Sequence, residues 1–255
     1  MLERSNSKDA KAEREILNVN AEKFFTCHVR CSKLYVLEKI SREGLVLKDN
    51  RLLQLMYSAK IGDGSFIKNS TGERFGYVGY YIQYVSYDLR YLTYKRDLFM
   101  SNGFACSNYR ITQSGFKKDS FGYNFSVRMF EELNHVAEMP KVEVISKLNK
   151  LGLILYYLDD GSYHQKKHFG NLYCNDFIDE EVNQLISKVY DLYHVKKCSI
   201  RFDRKKDGRE YPYLYIPVST MNMFKEDVLS FLKRNKLYSL YYKAGLPSQT
   251  IENLH

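Results

Sequence analysis

Tryptophan is absent from the 255 residues, and cysteine is scarce and odd in number: five, at 27, 31, 106, 174 and 198, without regular spacing. Such a set argues against a disulfide framework and for a reducing compartment. Cys27, His28 and Cys31 form the only local cluster, and no second Cys or His pair stands at a zinc-site spacing, so ordinary helix residues account for it. No run of about 18 apolar residues occurs, which argues against a membrane-spanning helix. The opening MLERSNSKDAKAEREIL lacks an apolar core and carries too many acids for a transit peptide. These absences predict a soluble, intracellular chain.

Basic residues dominate instead. Lys and Arg number 39 against 30 Asp and Glu, for a net charge of +9 and a pI near 9.1. That balance points to an anionic partner, and 23 tyrosines interleaved with Lys and Arg suit a surface that meets phosphates and bases. A hydrophobic content of 44% is ample for a core in one large domain or two fused halves.

The most informative stretch is 151–162, LGLILYYLDDGS. Leu151, Ile154, Leu155 and Leu158 recur at helical spacing and make one apolar face. Asp159 and Asp160 then fall at the C-terminal end, where the macrodipole is already negative and acids cost stability. A bound cation would reverse that sign. Residues 51–66, RLLQLMYSAKIGDGSF, repeat the design with Asp63-Gly64-Ser65-Phe66 at the exit, so Asp-Gly-Ser-aromatic recurs 97 positions apart. Cys106-Ser107 and Cys198-Ser199 are 92 apart, and Met129-Phe130 and Met223-Phe224 are 94 apart. The pattern is an internal duplication of two similar halves packed as a pseudo-dimer.

Three segments follow: an N-terminal helical extension over 1–49, a first half over 50–142 and a second over 143–255. The extension covers the core or clamps additional nucleic acid. In the first half, strands are expected at 65–69 and 77–86, a helix capped by Asp88 through 99, a hairpin of 106–113 and 121–127, and a helix over 127–136. The second repeats the order with strands at 162–166 and 169–174, a helix over 179–193, strands at 197–204 and 210–217 and a helix over 219–234. Each half reads α-β-β-α-β-β-α, an α+β class with two antiparallel sheets.

Alternate strand residues share a face, so a sheet covered by helices on one side offers the rest to a ligand. Tyr80 with Tyr84, Arg110 with Thr112, and Arg201 with Asp203 form same-parity sets. Lys68, Arg74, Lys117, Lys118, Lys166, Lys167, Arg204, Lys205 and Lys206 supply positive charge around them. The tips would grip phosphates while the strands read base edges.

Residues 56–64, MYSAKIGDG, and 153–161, LILYYLDDG, resemble the two motifs of the LAGLIDADG homing endonucleases, whose ninth residue is Gly and whose eighth is a metal-binding Asp. The spelling is closest to the monomeric double-motif enzymes of mobile introns, and the likeness covers roughly residues 50 to 250. It implies two motif helices at a pseudo-twofold interface, two sheets forming a saddle over roughly 20 bp of duplex at about 10.5 bp per turn, and Asp63 beside Asp160. It implies that these carboxylates bind Mg²⁺, with Mn²⁺ able to substitute, and that the carbonyls of Gly62 and Asp159 complete the ligand set. Ser58, Ala59 and Gly62 suit a close crossing, whereas Leu155 and Asp159 depart from the family's small residues. The segment 242–247, YKAGLP, is similar to the one carrying a catalytic-site lysine, which assigns that role to Lys243. Before Pro140 the first half offers only Ala137-Glu138-Met139; Lys141, Lys117 or Lys118 would have to substitute, or one strand would be cut faster.

The resemblance therefore implies a site-specific endonuclease that makes a staggered double-strand break in DNA without an obligate protein partner or a membrane. It would work in the cytoplasm of a bacterium or phage-infected cell, or in an organelle. The alternatives are an intron RNA maturase on the same scaffold and a DNA-binding regulator that has lost cleavage.

Overall fold

The computed structural model describes residues 50–68, 79–113, 121–130, 133–194, 198–204 and 208–247, all within one unit, Leu47–His255. The expected extension over 1–49, Arg74, Lys117, Lys118, Lys205 and Lys206 lie outside the described residues. Helix α1 (Asn50–Ile61) buries the expected stripe of Leu52, Leu55, Met56 and Ala59. After it come β1 (Ser65–Lys68), β2 (Tyr80–Ser86), α2 (Leu89–Ser101), β3 (Arg110–Gln113), β4 (Phe121–Arg128), α3 (Asn134–Glu138) and α4 (Lys141–Lys147). The second set is α5 (Lys150–Asp160), β5 (Gly161–His164), β6 (Phe169–Tyr173), α6 (Asp179–Tyr193), β7 (Ser199–Arg204), β8 (Glu210–Ile216), α7 (Val218–Arg234) and a 3₁₀ helix, Tyr238–Ala244.

Both sheets are antiparallel and share one order, β1-β2-β4-β3 in the first half and β5-β6-β8-β7 in the second. The duplication read from scattered identities is thus a duplication of topology. Asp88 caps α2, its Oδ1 accepting from the Tyr91 amide at 3.0 Å, which satisfies one of the amides that a helix start leaves open. The expected helix over 127–136 begins only at Asn134, because β4 runs on through Arg128. Val127 still pairs with Ile82 and bridges Cys106.

Helices cover one face of each sheet. Ile82, Tyr84, Phe125 and Val127 are buried under α2, which packs on β2 and β4 with Leu92 and Phe99 inside. Leu172, Leu214 and Ile216 take the same place in the second half, with Met221 and Phe224 of α7 among the buried residues. Helix α5 is buried on every side from Gly152 to Leu158 rather than along one stripe. It packs on α1, β5, β6 and α7, so no flank of it faces water. Among the described residues no helix is long and apolar enough to cross a membrane.

Candidate active site and nucleic-acid interface

Helices α1 and α5 run side by side in the same direction. At their starts, Gln54 receives the Asn149 amide at 2.8 Å and donates to the Lys147 carbonyl at 3.1 Å, while Asn149 accepts from the Gly152 amide at 3.1 Å. A Cβ on Gly152 would lie 2.3 Å from Gln54 Oε1, so a side chain there would push Gln54 off these contacts. At their ends, a Cβ on Gly62 would lie 2.8 Å from Asp160 Oδ2. The second motif's carboxylate therefore rests on the first motif's backbone, next to Asp63.

Asp63 is exposed at the rim, yet the protein bulk around it, and then repulsion from Asp159, raise its pKa; Lys95 and Lys243 offset part of this. Asp160 is pushed up to about 8, by desolvation first and then by Asp63 and Asp159. Desolvation lowers the pKa of Lys243 despite three nearby carboxylates. Lys243 donates to the Gly161 carbonyl at 2.6 Å and the Asp159 carbonyl at 3.4 Å, and its own carbonyl accepts from Tyr157 Oη at 2.9 Å. Asp159 turns away from its neighbour: Lys95 Nζ of α2 lies 2.6 Å from its Oδ1, both side chains being almost wholly buried.

Lys95 was not anticipated. The available signal was its position in the stripe Tyr91, Leu92, Lys95, Leu98, Phe99, where a lone lysine shares an apolar face. Gln83 and Asn171 were missed as well. They stand opposite Ser65 and Ser162, two residues beyond the motif aspartates, on the uncovered faces of the two sheets.

Three carboxylates crowd against two ammonium groups at the helix ends. Among the described residues no three His, Cys, Asp or Glu side chains converge as a metal cluster. The two carboxylates of Asp63 and Asp160, both raised by desolvation and by Asp159, nonetheless fit a hard divalent cation that takes its remaining ligands from water, carbonyl and phosphate oxygens. The Asp159 carbonyl already receives Lys243.

Among the described residues, the first half has no lysine in the matching place. Tyr157 and Lys60 each stand four residues before a motif glycine; Tyr157 binds the Lys243 carbonyl and Lys60 Nζ binds the Ala137 carbonyl at 2.5 Å. Ala137 is thus the counterpart of Lys243. Lys141 is occupied elsewhere, by Asp176 at 2.5 Å and the Phe177 ring at 4.9 Å.

The sheet faces correct one expected set. Tyr84 is 1% exposed and stacks on Phe125 at 5.4 Å, so its parity is the covered one and it is not on a DNA face. Tyr80 shares that parity at the sheet end, where its hydroxyl meets Glu138 at 3.2 Å. The uncovered side of the first sheet carries Tyr81, Gln83 and Arg128 with Arg110 and Thr112. Lys68, opposite Tyr80, is exposed at the end of β1. In the second sheet, Arg201 lies 3.5 Å over the Tyr215 ring, with Ser199, Asp203, Tyr211, Tyr213 and Tyr173 on the same side. Lys166 and Lys167 are exposed in the β5–β6 turn, and Arg204 is paired with Glu210.

A family model described as the LAGLIDADG DNA endonuclease family matches residues 61–224. No curated protein matches the chain. Among solved structures, the homing endonuclease I-WcaI bound to its DNA recognition sequence is similar with a TM-score of 0.60 and 16% identity, over 82% of this chain and 92% of that one. I-DmoI in complex with DNA and Mn reaches a TM-score of 0.49 and 15% identity, over 71% and 98%.

Proposed function

Because this chain belongs to the LAGLIDADG DNA endonuclease family, we propose that it is a site-specific homing endonuclease that breaks both strands of a long DNA target by divalent-cation-dependent hydrolysis. One observation carries the reading: Asp63 and Asp160, 97 positions apart in sequence, arrive together at the ends of two parallel helices and are both destabilised as anions there.

Mg²⁺ held by Asp63 and Asp160 would supply Lewis acidity toward the phosphate and an acidified water as nucleophile. Attack on phosphorus breaks the P–O3′ bond, leaving a 5′-phosphate and a 3′-hydroxyl. Lys243, fixed through the Gly161 carbonyl, brings a cation to the developing negative charge and orients the attacking water. Gln83 and Asn171, next to the motif exits, can hydrogen-bond water or phosphate in each half. Ala137 stands in the first half where the second has Lys243, so if neither Lys117 nor Lys118 supplies that cation, the strand served by the first half is cut more slowly. The uncovered sheet faces, with Arg110, Thr112, Arg128, Arg201 and the β8 tyrosines, track the groove, while Lys166 and Lys167 grip the backbone.

The test is incubation of the protein with Mg²⁺ and a randomised duplex library. Recovery of cut products sharing one site supports the reading. Complete absence of cleavage, with tight binding to a structured intron RNA, overturns it in favour of a maturase.

A further inference from the structure

We propose that Lys95 is a positioning residue for this reaction, forming with Asp159 a matched charge pair that fixes the last turn of α5 and so holds Asp160 in place. The proposal rests on the nuclease reading above. Lys95 is 1% exposed and the Asp159 side chain 3%, and they meet at 2.6 Å. The Tyr91 and Tyr84 rings lie 4.4 and 5.1 Å from the ammonium. Two charges so far from water are tolerated only as a pair.

Comparison of the halves shows what the pair replaces. Counted from the helix caps Asp88 and Ile178, Leu92, Lys95 and Phe99 of α2 fall, 90 positions on, at Val182, Leu185 and Val189 of α6; all six are buried. Asp159 corresponds, 97 positions back, to Gly62. By these sequence counts one half carries leucine and glycine at the positions where the other carries lysine and aspartate.

The location of the pair gives it a consequence for Asp160. Helix ends fray where their carbonyls lack partners. Here the final turn is held from two sides: Lys95 takes the Asp159 carboxylate, and Lys243 takes the Asp159 and Gly161 carbonyls at 3.4 and 2.6 Å. The residue between them is Asp160. The two supporting elements are themselves joined, since Ser239 of the 3₁₀ helix donates to Asp88, the cap of α2. Without Lys95 the Asp159 carboxylate is left buried and unpaired; whether it takes up a proton or turns toward water, the turn carrying Asp160 loses that anchor.

The experiment compares Lys95→Met, Asp159→Gly and the double variant Lys95→Leu, Asp159→Gly on a duplex selected from the randomised library. Unfolding midpoint, affinity in Ca²⁺ and single-turnover cleavage in saturating Mg²⁺ are recorded for each. Lys95→Met is expected to keep wild-type affinity while cutting about 10²-fold more slowly. The double variant, which copies the other half, is expected to recover to within about threefold of wild type. If the single variants do not fold, the double variant still decides. A folded Lys95→Met that cuts at the wild-type rate, or a folded double variant that cuts about 10²-fold slowly, overturns this inference alone. A wild-type protein that binds the duplex and never cuts it overturns the nuclease reading and this one with it.

Discussion

At Asp160, activity and stability pull in opposite directions. The side chain's pKa is raised from its ordinary 3.8 to about 8, so between those values the folded state holds a proton that the unfolded chain releases. Stability therefore falls as pH climbs from about 4 to about 8 and flattens above. Asp160→Asn removes that dependence. Its melting temperature should exceed the wild type's by a few degrees at pH 8.5 and converge with it near pH 4, as thermal melts across pH will show. The same variant should lose cleavage and keep DNA binding in Ca²⁺. Divalent cations should raise the wild type's melting temperature and leave the variant's unchanged, because only a site with both carboxylates gains from binding. The three thiols among the described residues play no part: burial pushes Cys106 up to about 12, and Cys174 and Cys198 to about 11.

Among the elements, the crossing of α1 and α5 tolerates the least change. Gly152→Ala puts a methyl against Gln54, which is already engaged with residues 147 and 149. It should cost about 1–3 kcal/mol in denaturant unfolding, the range for overpacking a close contact. These helices were legible because each repeats apolar residues at helical spacing and ends in the same Asp-Gly-Ser exit. The hairpins were legible from their turn residues. The face of β2 was not, since tyrosine fits either side of a sheet and Tyr80, Tyr81 and Tyr84 leave its alternation undecided. Tyr84 went to the core because Ile82 shares its parity. Lys95 was illegible for the opposite reason: a charged residue reads as solvent-facing until its partner, 64 positions away, is brought beside it. The all-round burial of α5 likewise depends on neighbours that only the assembled fold supplies.

The whole molecule carries a charge of +9, and in the second half Lys166 and Lys167 share one exposed turn while Arg201 stands on the uncovered sheet face. DNA affinity should fall linearly in log–log plots against salt, with a slope of about −0.9 per phosphate contacted. Lys166→Ser with Lys167→Ser should flatten that slope by about two units and weaken all sequences alike, whereas Arg201→Ala should relax selectivity at one position. Titrations of selected and scrambled duplexes at several salt concentrations will separate the two. The Gln54 contact has a bearing on protein engineering. It sits in the first copy but orients the start of the second, through main-chain groups of Lys147 and Asn149 and a glycine at 152. The halves are consequently not free cassettes. A chimera that swaps in a foreign first half to retarget the specificity must bring a glutamine at the equivalent of position 54, or exchange residues 147–152 along with it.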